Sequence, residues 1–122
     1  MREYVQGGQI QAKTNIETEF PIRRIEYTFV HADAPGERLT ATYSVASSPS
    51  EGRVEVFLDE EVPQGQAPGV YRLQSVRVYP ADAREPIEAV SEDIRNEAEF
   101  RIVLRSDKPP RATGWEYDPE QP

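Results

Sequence analysis

Apolar and polar residues alternate along most of the chain, and this alternation predicts β-strands. Successive side chains of a strand point to opposite faces, so a period of two indicates a strand with one buried face. The pattern predicts strands at 9–16, 24–30, 38–45, 54–59, 70–79 and 100–105. The core residues that it predicts are Ile10, Ala12, Ile16, Ile25, Tyr27, Phe29, Leu39, Tyr43, Val54, Val56, Leu58, Tyr71, Leu73, Val76, Val78, Phe100 and Ile102. Leu104 continues the inward phase of the last strand.

The long strand at 70–79 changes its inward phase partway along. Tyr71 and Leu73 face inward at its start, whereas Val76 and Val78 do so towards its end. One extra residue must lie between these two sets. We therefore predict a β-bulge near Gln74 and Ser75.

Glycine and proline mark the boundaries of the predicted strands. A short edge strand is predicted at 2–5, before Gly7 and Gly8. Pro35 and Gly36 fit the central positions of a type II turn between the strands at 24–30 and 38–45, because glycine accepts a positive φ. By the same reasoning, Pro68 and Gly69 predict a turn that enters the long strand.

Length and composition indicate one domain with a tail. We predict a folded domain over 1–106 and an extended tail or linker over 107–122, where four prolines favour extended geometry. The formal net charge of −8 disfavours nucleic acid as a partner. The chain has no cysteine, which excludes disulfides. It has no apolar run near the roughly 20 residues of a membrane span and no signal-peptide pattern, so we expect no membrane insertion.

The segment from Val62 to Tyr79 reads Val-Pro-Gln-Gly-Gln-Ala-Pro-Gly-Val-Tyr-Arg-Leu-Gln-Ser-Val-Arg-Val-Tyr. It resembles the E–F corner and F strand of bacterial immunoglobulin-like domains, which occur in secreted, surface and phage structural proteins. The resemblance implies an all-β fold, an immunoglobulin-like antiparallel β-sandwich of about seven strands. Tyr71 would be the tyrosine whose hydroxyl bonds back to the backbone at that corner, and Leu73 would occupy the place of the second framework cysteine. Pro68 and Gly69 would shape the corner.

The same resemblance also carries an expectation about function. The family serves spacing and adhesion, which implies a non-enzymatic interaction or spacer module in a larger bacterial or phage assembly. The expected partner is another protein or subunit of that assembly, and no cofactor or metal is expected. An extracellular, cell-surface or virion location is the corresponding expectation.

Four arginines form the first candidate binding surface. They fall on the outward phase of three strands predicted to share a sheet, where arginine among apolar side chains is typical of protein interfaces. They are Arg24, Arg72, Arg101 and Arg105. The alternative is an ordinary exposed sheet face with cross-strand ion pairs to Glu26 and Glu99.

Trp115 and Tyr117 in the tail form the second candidate. They are predicted to dock a neighbouring domain or subunit, to fold back on the sandwich, or to be disordered. A glycan-binding module is the alternative function, and it requires the aromatic residues Phe57, Tyr79 and Trp115 on one face. His31, the single histidine, has no nucleophile motif to serve, so we expect it to be a loop-entry residue.

Overall fold

The computed structural model describes residues 1–45, 51–82, 84–89, 92–105 and 111–120. Strands dominate these residues, as the alternation predicts, and there is one short helix. The strands are β1 (Arg2–Val5), β2 (Gln9–Thr18), β3 (Ile22–His31), β4 (Arg38–Ser44), β5 (Gly52–Glu61), β6 (Gly69–Pro80), β7 (Ile87–Glu88) and β8 (Glu99–Val103), and the helix is α1 (Glu92–Glu97). The all-β class is confirmed.

The strands form two sheets that enclose one core, in the manner of a β-sandwich. The larger sheet has the order β1-β8-β6-β3-β4, with β7 on part of β6, and the smaller one pairs β2 with β5. The predicted hairpin of β3 and β4 is present, and so is the sheet shared by β8, β6 and β3. β1 runs parallel to β8, which the expectation of a wholly antiparallel sandwich did not include.

The core consists of the inward-facing residues of both sheets, and most of the predicted ones are buried. The period of two therefore identified the correct faces of the strands. Ile22, Ala41 and Val62 are further core members that the prediction did not name. Val62 lies just beyond β5, where its amide donates to the carbonyl of Gly8.

Three predicted inward positions are wrong in detail. Ala12 has the inward phase of β2 but is exposed, because it lines an open cavity beside the strand. Tyr43 is only half-buried, since its hydroxyl reaches out to the Glu60 carboxylate. Leu104 lies beyond the end of β8 and is 69% exposed.

The predicted β-bulge is confirmed. Thr28 pairs with Ser75 and the next residue, Phe29, pairs with Leu73, so Gln74 is the extra residue of β6. Leu73 and Val76 are both buried on either side of it. The bulge thus keeps both ends of β6 in the core.

The turns differ from the sequence prediction. The amide of Glu37 donates to the carbonyl of Ala34, which closes a turn at Pro35-Gly36, but Gly36 lacks the positive φ of a type II turn. The hydrogen-bonded turn before β6 lies at 63–66, where the amide of Gln66 donates to the carbonyl of Pro63. Gly69 is already the first residue of β6, with φ of 136°.

Candidate functional site

Tyr71 fixes the connection between β5 and β6. Its ring is fully buried, and its hydroxyl donates to the carbonyl of Ala67 at 2.6 Å. The side-chain amide of Gln66 donates to the same hydroxyl at 3.0 Å. The predicted bond from this hydroxyl to the backbone is confirmed. Burial raises the pKa of the Tyr71 phenol, while the hydrogen bond from Gln66 partly opposes that rise.

His31 supports the same corner from the end of β3, a role that sequence reasoning missed. The Asp33 amide donates to its Nδ1 at 3.0 Å, so Nε2 carries the proton and donates to the carbonyl of Pro68 at 2.8 Å. The imidazole also packs edge-on against the Tyr71 ring. A Cβ at Gly69 would clash with Nε2. His31 therefore connects the end of β3 to the residues before β6. The absence of a Cβ at Gly69 leaves space for its imidazole.

The four arginines do not form one cluster. Arg24 lies opposite Tyr79, whereas Arg72 lies opposite Val30, six residues further along β3. At about 3.3 Å per residue these positions are roughly 20 Å apart. Arg101 is opposite Glu3 of β1, and Arg105 follows the end of β8 instead of lying within it. The sheet brings Arg72 and Arg101 near each other and leaves Arg24 at the far end.

Opposite charges lie beside two of these arginines, Arg72 and Arg101, and beside Arg77 on the same face. Arg72 Nε contacts the Glu99 carboxylate at 2.6 Å, the ion pair expected in the alternative interpretation. Arg77 lies between Glu26 of β3 and Glu88 of β7. Alternating charges on an exposed sheet reduce the local positive field. The arginine face therefore attracts an acidic partner less strongly than the sequence suggested.

Arg24 belongs instead to a stacked group at the end of the sheet. Its guanidinium carbon lies 4.0 Å from the centre of the Tyr79 ring, and that of Arg23 lies 5.6 Å from the same ring. Arg23 Nε also donates to the carbonyl of Pro80. These are cation–π contacts that hold both side chains against the sheet.

Trp115 and Tyr117 are the most exposed large aromatic residues of the structure. Their exposed fractions are 82% and 86%, and their rings contact each other edge to face at 6.3 Å. Residues 111–118 contain neither helix nor strand. The pair is thus presented to solvent on an irregular segment.

The aromatic platform that a glycan-binding module would require is not assembled from Phe57 and Tyr79. Phe57 lies on the outer face of the smaller sheet, next to Lys13, whereas Tyr79 lies on the outer face of the larger one. These two faces point in opposite directions. Within the described residues, the exposed aromatic pair that a glycan could meet is Trp115 and Tyr117 in the tail.

One side of the sandwich is open along β2. A cavity of about 540 Å³ lies between β2 and the edge formed by β1, α1 and β8, and the core side chains of Tyr27, Phe29 and Leu73 line it. A second opening of about 740 Å³ continues past the C-terminal end of β2, beside Phe20 and Ile87. Together the two openings follow this strand from Ile10 to Thr18.

The Tyr27 hydroxyl is buried at the larger sheet's side of this cavity. It has no hydrogen-bond partner among the described residues. Burial raises the pKa of its phenol, and the Thr14 side chain, which is close but outside hydrogen-bonding geometry, partly offsets the rise. A buried hydroxyl without a partner is uncommon and costs free energy.

No group of three acidic, histidine or cysteine side chains that could hold a metal occurs in the described part of the chain. Nor does any helix there have the length and apolar character to cross a membrane. No family model, curated protein or solved structure matches the chain.

Proposed function

We propose that the chain is a non-enzymatic, immunoglobulin-like β-sandwich that serves as an interaction or spacer module in a larger bacterial or phage assembly. The strand order supports the immunoglobulin-like part. In such domains the G, F and C strands share one sheet and B and E share the other, as β8-β6-β3 and β2-β5 do here. The Tyr71 hydroxyl bond to Ala67 supports the tyrosine corner.

The exposure of Trp115 and Tyr117 carries the functional part of the proposal. Tryptophan and tyrosine are the residues most enriched among those that dominate protein-binding energy. Exposing both, 82% and 86%, leaves a large apolar area in water unless a partner covers it. The tail pair is therefore the first candidate for the binding surface, and the arginine face the second.

A capture experiment with the tagged full chain tests this proposal. We expect a protein subunit to be captured from an extract of the source cells and identified by mass spectrometry. Replacing both tail aromatics in the double variant W115S/Y117S should abolish capture, whereas R24E/R101E should preserve it. The reverse result would make the arginine face the binding surface.

A glycan array with the same chains examines the alternative function. Glycan binding that depends on Trp115, together with no captured protein, would contradict the proposal and support the glycan-binding module. The fold of every variant is checked by circular dichroism, so that a loss of binding is not confused with unfolding.

A further inference from the structure

The outer edge of β2, on the side away from β5, borders the core and carries no further strand in the described part of the chain. In the described residues β2 pairs only with β5. The Gln11 carbonyl accepts from the Tyr4 hydroxyl at 3.3 Å, so it points away from β5. Alternate residues of an antiparallel strand face the same way, so Lys13 and Asn15 also present backbone groups to this edge. Such an edge is a template for a strand of another chain.

The cavity beside this edge can receive apolar side chains. Its volume of about 540 Å³ lies in the range of pockets that enclose organic ligands, roughly 300–1,000 Å³. Ala12 has the inward phase yet is exposed there, and its small side chain leaves space beside the strand. The core side chains of Phe29, Leu58 and Leu73 form part of its lining. The lining therefore offers apolar surface to an entering side chain.

The tail contains a segment with matching properties. Residues 111–118 lack proline and lie between Pro110 and Pro119, so they can pair as a strand. Trp115 and Tyr117 are two residues apart, which places both on one face of an extended segment and Glu116 on the other.

Resting on the proposed function, we propose that residues 113–118 of a second copy add to the edge of β2 as a further strand, with Trp115 and Tyr117 entering the cavity. Glu116 then lies opposite Lys13 on the outer face of the smaller sheet. The aromatic side chains then flank Ala12 and Thr14.

Two basic residues lie where the acidic segment would bind. Arg2 lines the cavity, and Lys13 lies on the strand edge, where Glu55 already contacts it at 3.2 Å. The tail brings Asp118 towards Arg2, while Glu116 would share Lys13 with Glu55. Of the acids on the opposite wall, Glu99 is already engaged by Arg72, which leaves Glu97 on α1.

Tail and edge are different surfaces, so the contact is heterologous and can propagate from copy to copy. Sedimentation velocity of the full chain should show oligomers that grow with concentration. A12R, which fills the cavity mouth from an exposed position, and W115S/Y117S should each remain monomeric. T40R, which places the same side chain at an exposed position of β4, should behave as the wild type.

The decisive experiment mixes the two variants that are expected to be monomeric. A12R retains its tail and W115S/Y117S retains its open edge, so an equimolar mixture should form a heterodimer and nothing larger. A mixture that stays monomeric would overturn the proposal. A peptide of residues 111–118 should bind W115S/Y117S, and adding A12R to that chain should weaken its affinity at least about tenfold.

Trp115 is the single tryptophan, so its fluorescence reports its own burial. Its emission should move to shorter wavelength as wild-type concentration rises, and should not move in A12R. Blue emission from a monomer at every concentration would show that a chain's own tail fills its cavity, which overturns the second-copy proposal. A monomeric wild type that still captures another protein through its tail would refute this inference and leave the proposed function intact.

Discussion

Two fully buried tyrosines differ in how their hydroxyl groups are satisfied. Tyr71 donates to Ala67 and accepts from Gln66, whereas the Tyr27 hydroxyl has no partner among the described residues. A buried hydrogen bond contributes about 1 kcal/mol net, but an unsatisfied buried hydroxyl costs free energy. Burial alone therefore does not predict what each hydroxyl contributes.

The two tyrosine-to-phenylalanine variants should differ in sign. Tyr71→Phe should lower the free energy of unfolding by about 1 kcal/mol, because both hydrogen bonds disappear. Tyr27→Phe should leave it unchanged or raise it, since it removes an unsatisfied group. Urea denaturation at neutral pH measures both. Tyr117→Phe, at an exposed position, is the control, and equal losses in Tyr71→Phe and Tyr27→Phe would contradict this account.

Glycine is required at position 69 for two reasons, its φ of 136° and the nearby imidazole of His31. Gly69→Ala should cost about 1–3 kcal/mol from backbone strain, with the steric clash in addition. Gly65→Ala is the matched control, because nothing lies within 4 Å of its added Cβ. Denaturation midpoints that fall equally in the two variants would show that the corner tolerates a side chain there.

At the residue scale, the sequence predicts burial correctly where the direction of the side chain alone determines whether it is buried. It identified Tyr71 and Leu73 correctly because phase alone sets their direction. It failed at Ala12, since burial there depends on whether a neighbouring strand covers the position. It also missed His31, whose hydrogen bond to the Pro68 carbonyl joins segments far apart in the chain.

The bulge at Gln74 is the clearest case in which an element could be predicted. Four apolar residues in two phases require one extra residue between them. The pairing of β6 with β3 contains that residue, because Gln74 has no partner in the register. Strand pairing was harder, because β1 could join either sheet and the alternation of side chains does not choose between them. Strand pairing depends on contacts between segments far apart in the sequence, and a local pattern of side chains does not show these contacts.

Deleting Gln74 should remove the phase change and turn Val76 and Val78 outward. Exposing two valines costs roughly 3–6 kcal/mol, at about 1.5–3 kcal/mol each, against a typical total stability of 5–15 kcal/mol. We expect a chain that is largely unfolded by circular dichroism. Gln74→Ala keeps the residue count and should change the stability by no more than about 0.5 kcal/mol. A folded deletion variant would mean that the register can slip without loss.

At the scale of the whole molecule, buried phenols make stability depend on alkaline pH. Burial raises the pKa of Tyr27, Tyr43 and Tyr71, and the negative charges of Glu60 and Asp59 add to the rise at Tyr43. An unfolded tyrosine loses its proton near about pH 10, while these three keep theirs in the folded state. Above that pH the unfolded state binds fewer protons, so the free energy of unfolding must fall.

We expect the urea midpoint to fall as pH rises above about 10. At lower pH these phenols are protonated in both states, so they cause no change of the midpoint with pH. Tyr27→Phe should show a shallower fall, because one of the three groups is absent. Urea titrations between about pH 8 and 11 provide the measurement, with tyrosinate absorbance recorded in parallel. A midpoint that is constant over this range would contradict the inferred proton linkage.

The parallel pairing of β1 with β8 also affects how the chain folds during translation. A ribosome delivers residues 2–5 early, but their strand partners at 100–103 are synthesised nearly a whole domain later. Until then the β8-facing edge of β6 and the Tyr71 ring lack their neighbours, including Phe100, which stacks on that ring. Contacts so distant in sequence are slow to form. The nascent chain therefore exposes apolar strand edges to chaperones and to other nascent chains until residues 100–103 have been made.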